Sequence, residues 1–384
     1  MLPSCHRVSA MRKRLIVLCA YILAVVLIWI VSFRMPSEKA VIHVPMEFQS
    51  DFLCLSDFSC SWIDNSSIVF FKFPFRQMDT FDHTEPGYSI YYGVKSGKTS
   101  STAIPDPFTS THDRIGGPEP VVALSPDKRN MICFSEQGAY AIAAVDSASH
   151  NNSIILRGQI NNGNSRDLLP IWLGDNQRWT AVDANALVTG KLRYWVGRAS
   201  GGKASYHELP PVPGGDDMMS GLIGLRSGQR PILVMRVHGS KNTYIIITID
   251  PDAGTADTNY VTLPAETVYT HWYSYFNARL SPDGTKIAWM LDYKEAQTFS
   301  WLHDQLVKTH LVHPSPNRAI WLSDADGHDM KLISKWYSDV PPQNLQWVPG
   351  ENTVSYDQMI CIFQTKPGTR NIERHDIVEI KNIY

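Results

Sequence analysis

Several things are scarce in this sequence, and each scarcity removes a class of function. Basic residues are in no excess, with 35 Lys and Arg against 37 Asp and Glu in 384 residues, so the positive footprint of a nucleic-acid binder is missing. Cysteine is sparse at six. No two cysteines stand as Cys-x-x-Cys, which argues against zinc ribbons and dithiol redox chemistry. No Gly-x-Ser-x-Gly elbow is present to carry a hydrolase nucleophile. His303, His310 and His313 cluster, but no Glu or Cys completes a ligand set, so neither metal nor cofactor is expected. Charged residues make only 19% of the chain and apolar ones 43%, which excludes a disordered polymer and allows a large core.

What the sequence does have is punctuation and rings. Pro and Gly number 24 each, with 14 Phe, 16 Tyr and 11 Trp, a composition of many short strands rather than long helices. Leu15 to Phe33 contains no charged residue; as a helix it covers roughly 28 Å, close to the thickness of a bilayer's hydrocarbon core. Arg7, Arg12, Lys13 and Arg14 precede it, and the positive-inside rule places residues 1–14 in the cytoplasm and everything after Arg34 outside it. A cleaved signal peptide is the competing reading, but the exit Trp29-Ile-Val-Ser-Phe-Arg34 is bulky where small residues are needed. With those four N-terminal cations removed, 31 basic residues face 37 acidic ones, and the exported part is mildly acidic. Cys54, Cys60, Cys133 and Cys361 then lie in an oxidising compartment. Cys54 and Cys60 are spaced for a short-loop bridge, while Cys133 and Cys361 sit in apolar runs that suit buried thiols. Asn65-Ser-Ser67 and Asn151-Asn-Ser153 are glycosylation sequons.

Beyond the apolar segment the chain resembles itself. Ala278-Arg-Leu280-Ser-Pro-Asp-Gly284-Thr-Lys-Ile-Ala-Trp-Met290 reads as strand, tight turn, strand, and Ala319 to Ile333 repeats the pattern around Asp324-Ala-Asp-Gly327. The latter only faintly resembles a calcium loop and is read as a turn. Weaker copies follow Leu124, Trp172, Trp62, Leu225 and Trp347. Taking the apolar residue before each turn as a mark gives positions 62, 124, 172, 225, 280 and 347. Six four-stranded units of about this length suit an all-β fold, a six-bladed β-propeller preceded by one transmembrane helix. A pair of stacked sheets is the alternative, but sandwiches carry no such repeat. The divisions are residues 1–14 as tail, 15–33 as anchor, 34–57 as linker and 58–384 as propeller. Within the linker, Val41-Ile-His-Val44 is available as a strand that closes the ring.

Ser281-Pro-Asp-Gly284 followed by Ile287-Ala-Trp289, with Asp324-Ala-Asp-Gly327 behind it, resembles the repeat of TolB-type β-propellers. The resemblance implies a bacterial, exported protein that uses its ring as a non-catalytic docking surface in the cell envelope. It implies a fold more firmly than an activity, and the chain departs from the periplasmic TolB protein in having an anchor and no N-terminal α/β domain. A sialidase box of the form Ser-x-Asp-x-Gly is not matched, because Gly284 follows Asp283 directly.

The candidate recognition residues are aromatics in connections. Tyr269, His271, Trp272, Tyr273 and Tyr275 precede unit 5, Trp336 and Tyr337 precede unit 6, and Trp301 falls in the long connection from Tyr293 to Arg318, where a short helix is expected from Phe299, Leu302, Leu306 and His310. Propeller geometry sends these connections to one face, and exposed Trp and Tyr suit recognition of another envelope protein or a glycan; the alternative is that they pack beneath the long loops. Two functions are therefore expected to compete. One is a membrane-anchored docking or ligand-binding module without catalytic residues; the other is a carbohydrate-active or lyase-type enzyme working in the central channel. Charged residues converging on the first strands favour the enzyme, whereas apolar or small ones favour docking.

Overall fold

A computed structural model describes residues 21–23, 39–44, 58–72, 88–103, 121–134, 138–146, 151–160, 168–183, 192–210, 212–226, 229–240, 242–265, 276–293, 318–336, 343–363 and 370–383. Contacts divide the chain into Met1–Ser37 and Glu38–Tyr384. In the first unit residues 21–23 are helical and exposed. Among the described residues no helix is long and apolar enough to cross a membrane.

The second unit is built of six antiparallel four-stranded sheets. Blade 1 holds β2 (Phe58–Asp64), β3 (Ser67–Lys72), β4 (Tyr88–Gly93) and β5 (Thr99–Ala103). Blade 2 holds β6 (Val121–Leu124), β7 (Asn130–Phe134), β8 (Ala139–Asp146) and β9 (Asn151–Gln159). Blade 3 is β10 (Leu168–Trp172), β11 (Arg178–Asp183), β12 (Arg193–Arg198) and β13 (Ser205–Glu208). Blade 4 is β14 (Gly215–Arg226), β15 (Arg230–Val237), β16 (Thr243–Asp250) and β17 (Thr255–Thr262). Blade 5 is β18 (Phe276–Leu280), β19 (Lys286–Asp292), β20 (Arg318–Asp324) and β21 (Lys331–Trp336). Blade 6 takes β22 (Gln343–Trp347), β23 (Thr353–Phe363) and β24 (Arg370–Lys381), and its fourth strand is β1 (Lys39–Val44). The propeller expected from the repeat is thus present, with each of the six marked residues on the first strand of its blade, at or near the turn. The ring-closing strand is present too: Val41 pairs with Val378 and Ile42 with Ile377.

The turn after each first strand follows from its residues. In blade 5, Ser281 Oγ donates to Asp283 Oδ1 at 2.5 Å and accepts from Lys286 N at 2.9 Å. Blade 2 repeats both bonds, Ser125 Oγ to Asp127 Oδ1 at 2.6 Å and Asn130 N to Ser125 Oγ at 2.9 Å. Both turns need a left-handed residue in the same place, Gly284 at φ 73 and Lys128 at φ 61. Glycine meets that need without strain, and lysine does not. Asp324-Ala-Asp-Gly327 is likewise a turn, with Asp324 Oδ1 accepting from the backbone of Asp326 and His328.

Both faces of each inner strand pair are buried, which is why their sequences are continuous apolar runs rather than alternating ones. In β15, Ile232 and Val234 join a cluster shared with blade 5, while Leu233 and Met235 join one shared with blade 3. Comparable clusters fill the junctions of blades 5 and 6, 2 and 3, 6 and 1, and 1 and 2, so an apolar core lies at every junction of the ring. Cys133 is a buried thiol in the last of these. Cys54 lies outside the described residues, and Cys60 and Cys361 are placed only as backbone in β2 and β23.

Candidate functional site

Strand order decides which connections share a face. First strands run away from the connections that enter each blade, so links from fourth to first and from second to third strands gather at one end of the ring. At that end the chain spans 73–87, 104–120, 263–275 and 293–317 between strands. At the opposite end the links are short, such as 65–66, 125–129, 173–177, 281–285 and 348–352. The two ends are referred to below as the long-connection face and the short-turn face.

The structure places the sequence-derived site residues unevenly. Tyr269, His271, Trp272, Tyr273, Tyr275, Trp301 and Tyr337 lie outside the described residues. So do the helix expected around Phe299 to His310 and the histidines at 303, 310 and 313. Trp336 is placed as backbone, closing β21 opposite Arg318. Three of the connections named for these residues do leave from the long-connection face: β17 to β18, β19 to β20, and β21 to β22.

The ends of the second strands on this face carry buried charge, which sequence reasoning missed. Asp183 is 2% exposed at the end of β11, Arg236 6% near the end of β15, and Asp357 2% in β23, while β19 ends in Asp292. In register they lie beside the starts of the first strands: Asp183 pairs with Leu168, Arg236 with Asp216, and Asp357 with Gln343. Alternation along each strand sends them into blade junctions. Asp183 shares a side with Trp179 and Ala181, which pack against blade 2; Arg236 shares one with Ile232 and Val234, packed against blade 5; Asp292 shares one with Ala288 and Met290, packed against blade 6.

Buried charge requires partners, and several are visible. Arg318 Nε lies 3.4 Å from Asp292 Oδ1, both side chains more than four-fifths buried. The pair closes the base of the 293–317 connection, where Tyr293 also packs on Trp321 with Lys335 Nζ 5.2 Å from its ring centre. Asn344 Nδ2 donates to Asp357 Oδ2 at 3.0 Å. Asn344 reaches it from a left-handed backbone, φ 51, within a register shift of β22; asparagine tolerates that conformation better than most residues. Arg193 stands opposite Asp183 across β11 and β12. Its Nε is buried and makes no hydrogen bond among the described residues. The signal that could have found these positions was in the repeat, since Trp179-Thr-Ala-Val-Asp183, Ala288-Trp-Met-Leu-Asp292 and Val354-Ser-Tyr-Asp357 each end an apolar run in aspartate.

First strands present little charge between their ends. β6 is Val-Val-Ala-Leu, β10 Leu-Leu-Pro-Ile-Trp, β18 Phe-Asn-Ala-Arg-Leu and β22 Gln-Asn-Leu-Gln-Trp. β14 alone brings consecutive acids, Asp216 and Asp217, at its start. Among the described residues no group of three His, Cys, Asp or Glu side chains is arranged to hold a metal ion.

Comparison with protein-family profiles gives no match, and comparison with curated proteins gives none either. Solved structures give many matches, of which three are representative. A periplasmic gluconolactonase of Pseudomonas aeruginosa is 11% identical over 82% of this chain and 85% of its own, with a TM-score of 0.44. A protein of unknown function from Dyadobacter fermentans is 13% identical over 91% of this chain and 99% of its own, also at 0.44. A Trypanosoma rangeli sialidase is 8% identical over 90% of this chain and 59% of its own, at 0.49. At such identities the likeness concerns backbone arrangement and carries no activity across.

Proposed function

We propose that this protein is a membrane-anchored, extracytoplasmic β-propeller of TolB type that works as a non-catalytic docking or ligand-binding module. Residues 15–33 are its span, residues 1–14 its cytoplasmic tail, and the propeller faces the periplasm of a bacterial envelope. The partner is another envelope protein or a glycan, bound by the long-connection face. One observation carries this reading: the long connections leave from one end of the ring, the other end is closed by short turns, and the long ones hold Tyr269, Trp272, Tyr273, Tyr275 and Trp301. Rigid amphipathic rings on loops over a fixed scaffold are a common basis of recognition.

Alanine at both Trp272 and Trp336 tests it. Buried interface tryptophans cost about 2 kcal/mol or more on truncation, roughly thirtyfold in affinity, so partners recovered with the parent from solubilised membranes are lost with the double variant. A folded double variant that recovers the same partners refutes the assignment.

The competing reading, a carbohydrate-active or lyase-type enzyme, draws on the carboxylates at Asp183 and Asp357. Turnover of glycosides or uronate polysaccharides by the parent, abolished in Asp183→Asn or Asp357→Asn while the melting temperature holds, would favour it over docking.

A further inference from the structure

The residue directly before each of the six register marks belongs to one tier of the ring: Ser61, Ala123, Ile171, Gly224, Arg279 and Gln346. All six are half-buried. The marks beside them at Trp62, Trp172, Leu280 and Trp347 are buried, and so are Ser125, Leu173, Ser281 and Val348, which stand two residues beyond the tier toward the short-turn face. The tier's exposure therefore does not come from the end of the ring. A first strand has its own blade on its outer side and neighbouring blades on its two faces, so what remains open to it is the central channel. The tier lines that channel.

In a closed ring of six, blade 5 stands opposite blade 2 and blade 6 opposite blade 3. Arg279 thus faces Ala123 across the channel and Gln346 faces Ile171, while Ser61 and Gly224 complete the tier with little bulk. One wall donates hydrogen bonds and the other is apolar. Both members of the Arg279–Ala123 pair are clamped through their backbones, Ala123 O by Trp172 Nε1 at 3.0 Å and Arg279 O by Trp347 Nε1 at 2.9 Å. Arg279 Nη1 donates to Ala278 O at 2.9 Å, and a guanidinium has five N–H donors. Gln346 Oε1 accepts from Trp62 N at 3.2 Å, which turns the donor end of the amide, Nε2, away from that backbone. Arg279 is the one charged side chain of the tier. The first turns beyond it carry both signs: Asp127 with Lys128 and Arg129, Asp175 with Arg178, and Asp283 with Lys286, while Asp64 and Glu351 have no cation in their own turns and Arg226 and Arg230 no acid in theirs. Asp127, Asp175 and Asp283 lie four residues past the tier, on the order of 10 Å along a strand and about one Debye length away at 0.1 M salt. Contact with the guanidinium is not screened in that way.

We infer that this tier of the central channel binds a short aliphatic carboxylate, with the carboxylate oxygens on Arg279 and Gln346 and the hydrocarbon end against Ala123 and Ile171. The site depends neither on the anchor nor on recognition by the long-connection face, and it uses neither Asp183 nor Asp357. A planar guanidinium matches a carboxylate with two parallel N–H···O bonds, which a lysine ammonium does not. The clamped backbones hold both walls in place before the ligand arrives, so little ordering is left to binding.

Fluorine NMR of the full chain in detergent micelles, with trifluorobutyrate as the probe and empty micelles as the blank, provides the test. The parent is expected to broaden the probe's line, and excess butyrate, but not butanol, to sharpen it again. Arg279→Gln is expected to weaken binding about tenfold or more, and Arg279→Lys to weaken it less because a cation remains. Trp347's bond to the Arg279 carbonyl does not depend on that side chain, so both variants keep the clamp. Trifluoroacetate, two methylenes shorter, is expected to bind roughly tenfold more weakly. No broadening beyond the blank overturns the site. Sharpening by butanol equal to that by butyrate overturns recognition of the carboxylate, and this arm needs no variant to fold. A folded Arg279→Gln chain that binds the probe as the parent does overturns the role of Arg279, and equal affinity for trifluoroacetate overturns the apolar wall.

Discussion

Asp283 connects turn chemistry to acid stability. Its carboxyl is held below the ordinary value of 3.8, first by the Ser281 hydroxyl and then by Thr285, whose N–H and Oγ1 donate at 3.1 and 2.9 Å. A carboxyl depressed in the folded state contributes stability that is complete above its unfolded value and is lost as pH falls through the folded one. Asp283→Asn is therefore expected to lower the melting temperature at neutral pH and to flatten its fall below 3.8. Thermal melts of parent and variant across that range decide the matter, and an unchanged acid slope refutes it. Lys128 occupies the matching left-handed position in blade 2, which shows that the turn's geometry is imposed by its Ser-Pro-Asp bonds and not by glycine alone.

At the level of strands, three of the six marked residues are tryptophans that tie one blade to the one before it. Trp172 Nε1 donates to Ala123 O at 3.0 Å, and Trp347 Nε1 to Arg279 O at 2.9 Å, each carbonyl standing one residue before the preceding blade's mark. Trp62 Nε1 donates instead to Ser355 Oγ of blade 6 at 2.7 Å. Trp172→Phe keeps the ring area but leaves a carbonyl without its donor, at a cost of about 1–3 kcal/mol. Denaturant unfolding should show this as a lower midpoint with an unchanged slope; a midpoint equal to the parent's would mean that the indole bond contributes nothing. The marks were legible in the sequence because a tight turn needs particular residues in a short window, so Ser281-Pro-Asp-Gly284 and its weaker copies announce themselves. β1 was legible for a related reason, since Val41-Ile-His-Val44 is strand-like and stands before a ring whose last blade needs a partner. Asp183, Asp292 and Asp357 were not read, because a charge ending an apolar run looks like the start of a loop. Only pairing to the adjacent strands shows that such a residue is still inside the sheet.

Closure of the whole ring depends on the junction between blades 6 and 1, where the first and last strands of the propeller meet. Among the described residues, its core cluster is Trp62, Ile68, Tyr92, Val348 and Ile377. β1 reinforces this seam, with Ile42 packed on the cluster and His43 O accepting from the Tyr92 hydroxyl of blade 1 at 3.2 Å. Ile42→Asp places a charge against that apolar cluster, where it has to be desolvated. Every blade is buried by its neighbours on both sides, so releasing β1 exposes β24 and one side of blade 1 at the same time. Hydrogen exchange of the full chain is then expected to quicken first in β1, β2 and β24, with β15, β16 and β19 slowest in both parent and variant, because opening starts at the seam and the other five junctions hold until global unfolding. Exchange that quickened equally in all six blades would show that the ring has no preferred opening point, and that β1 matters only as one strand among many.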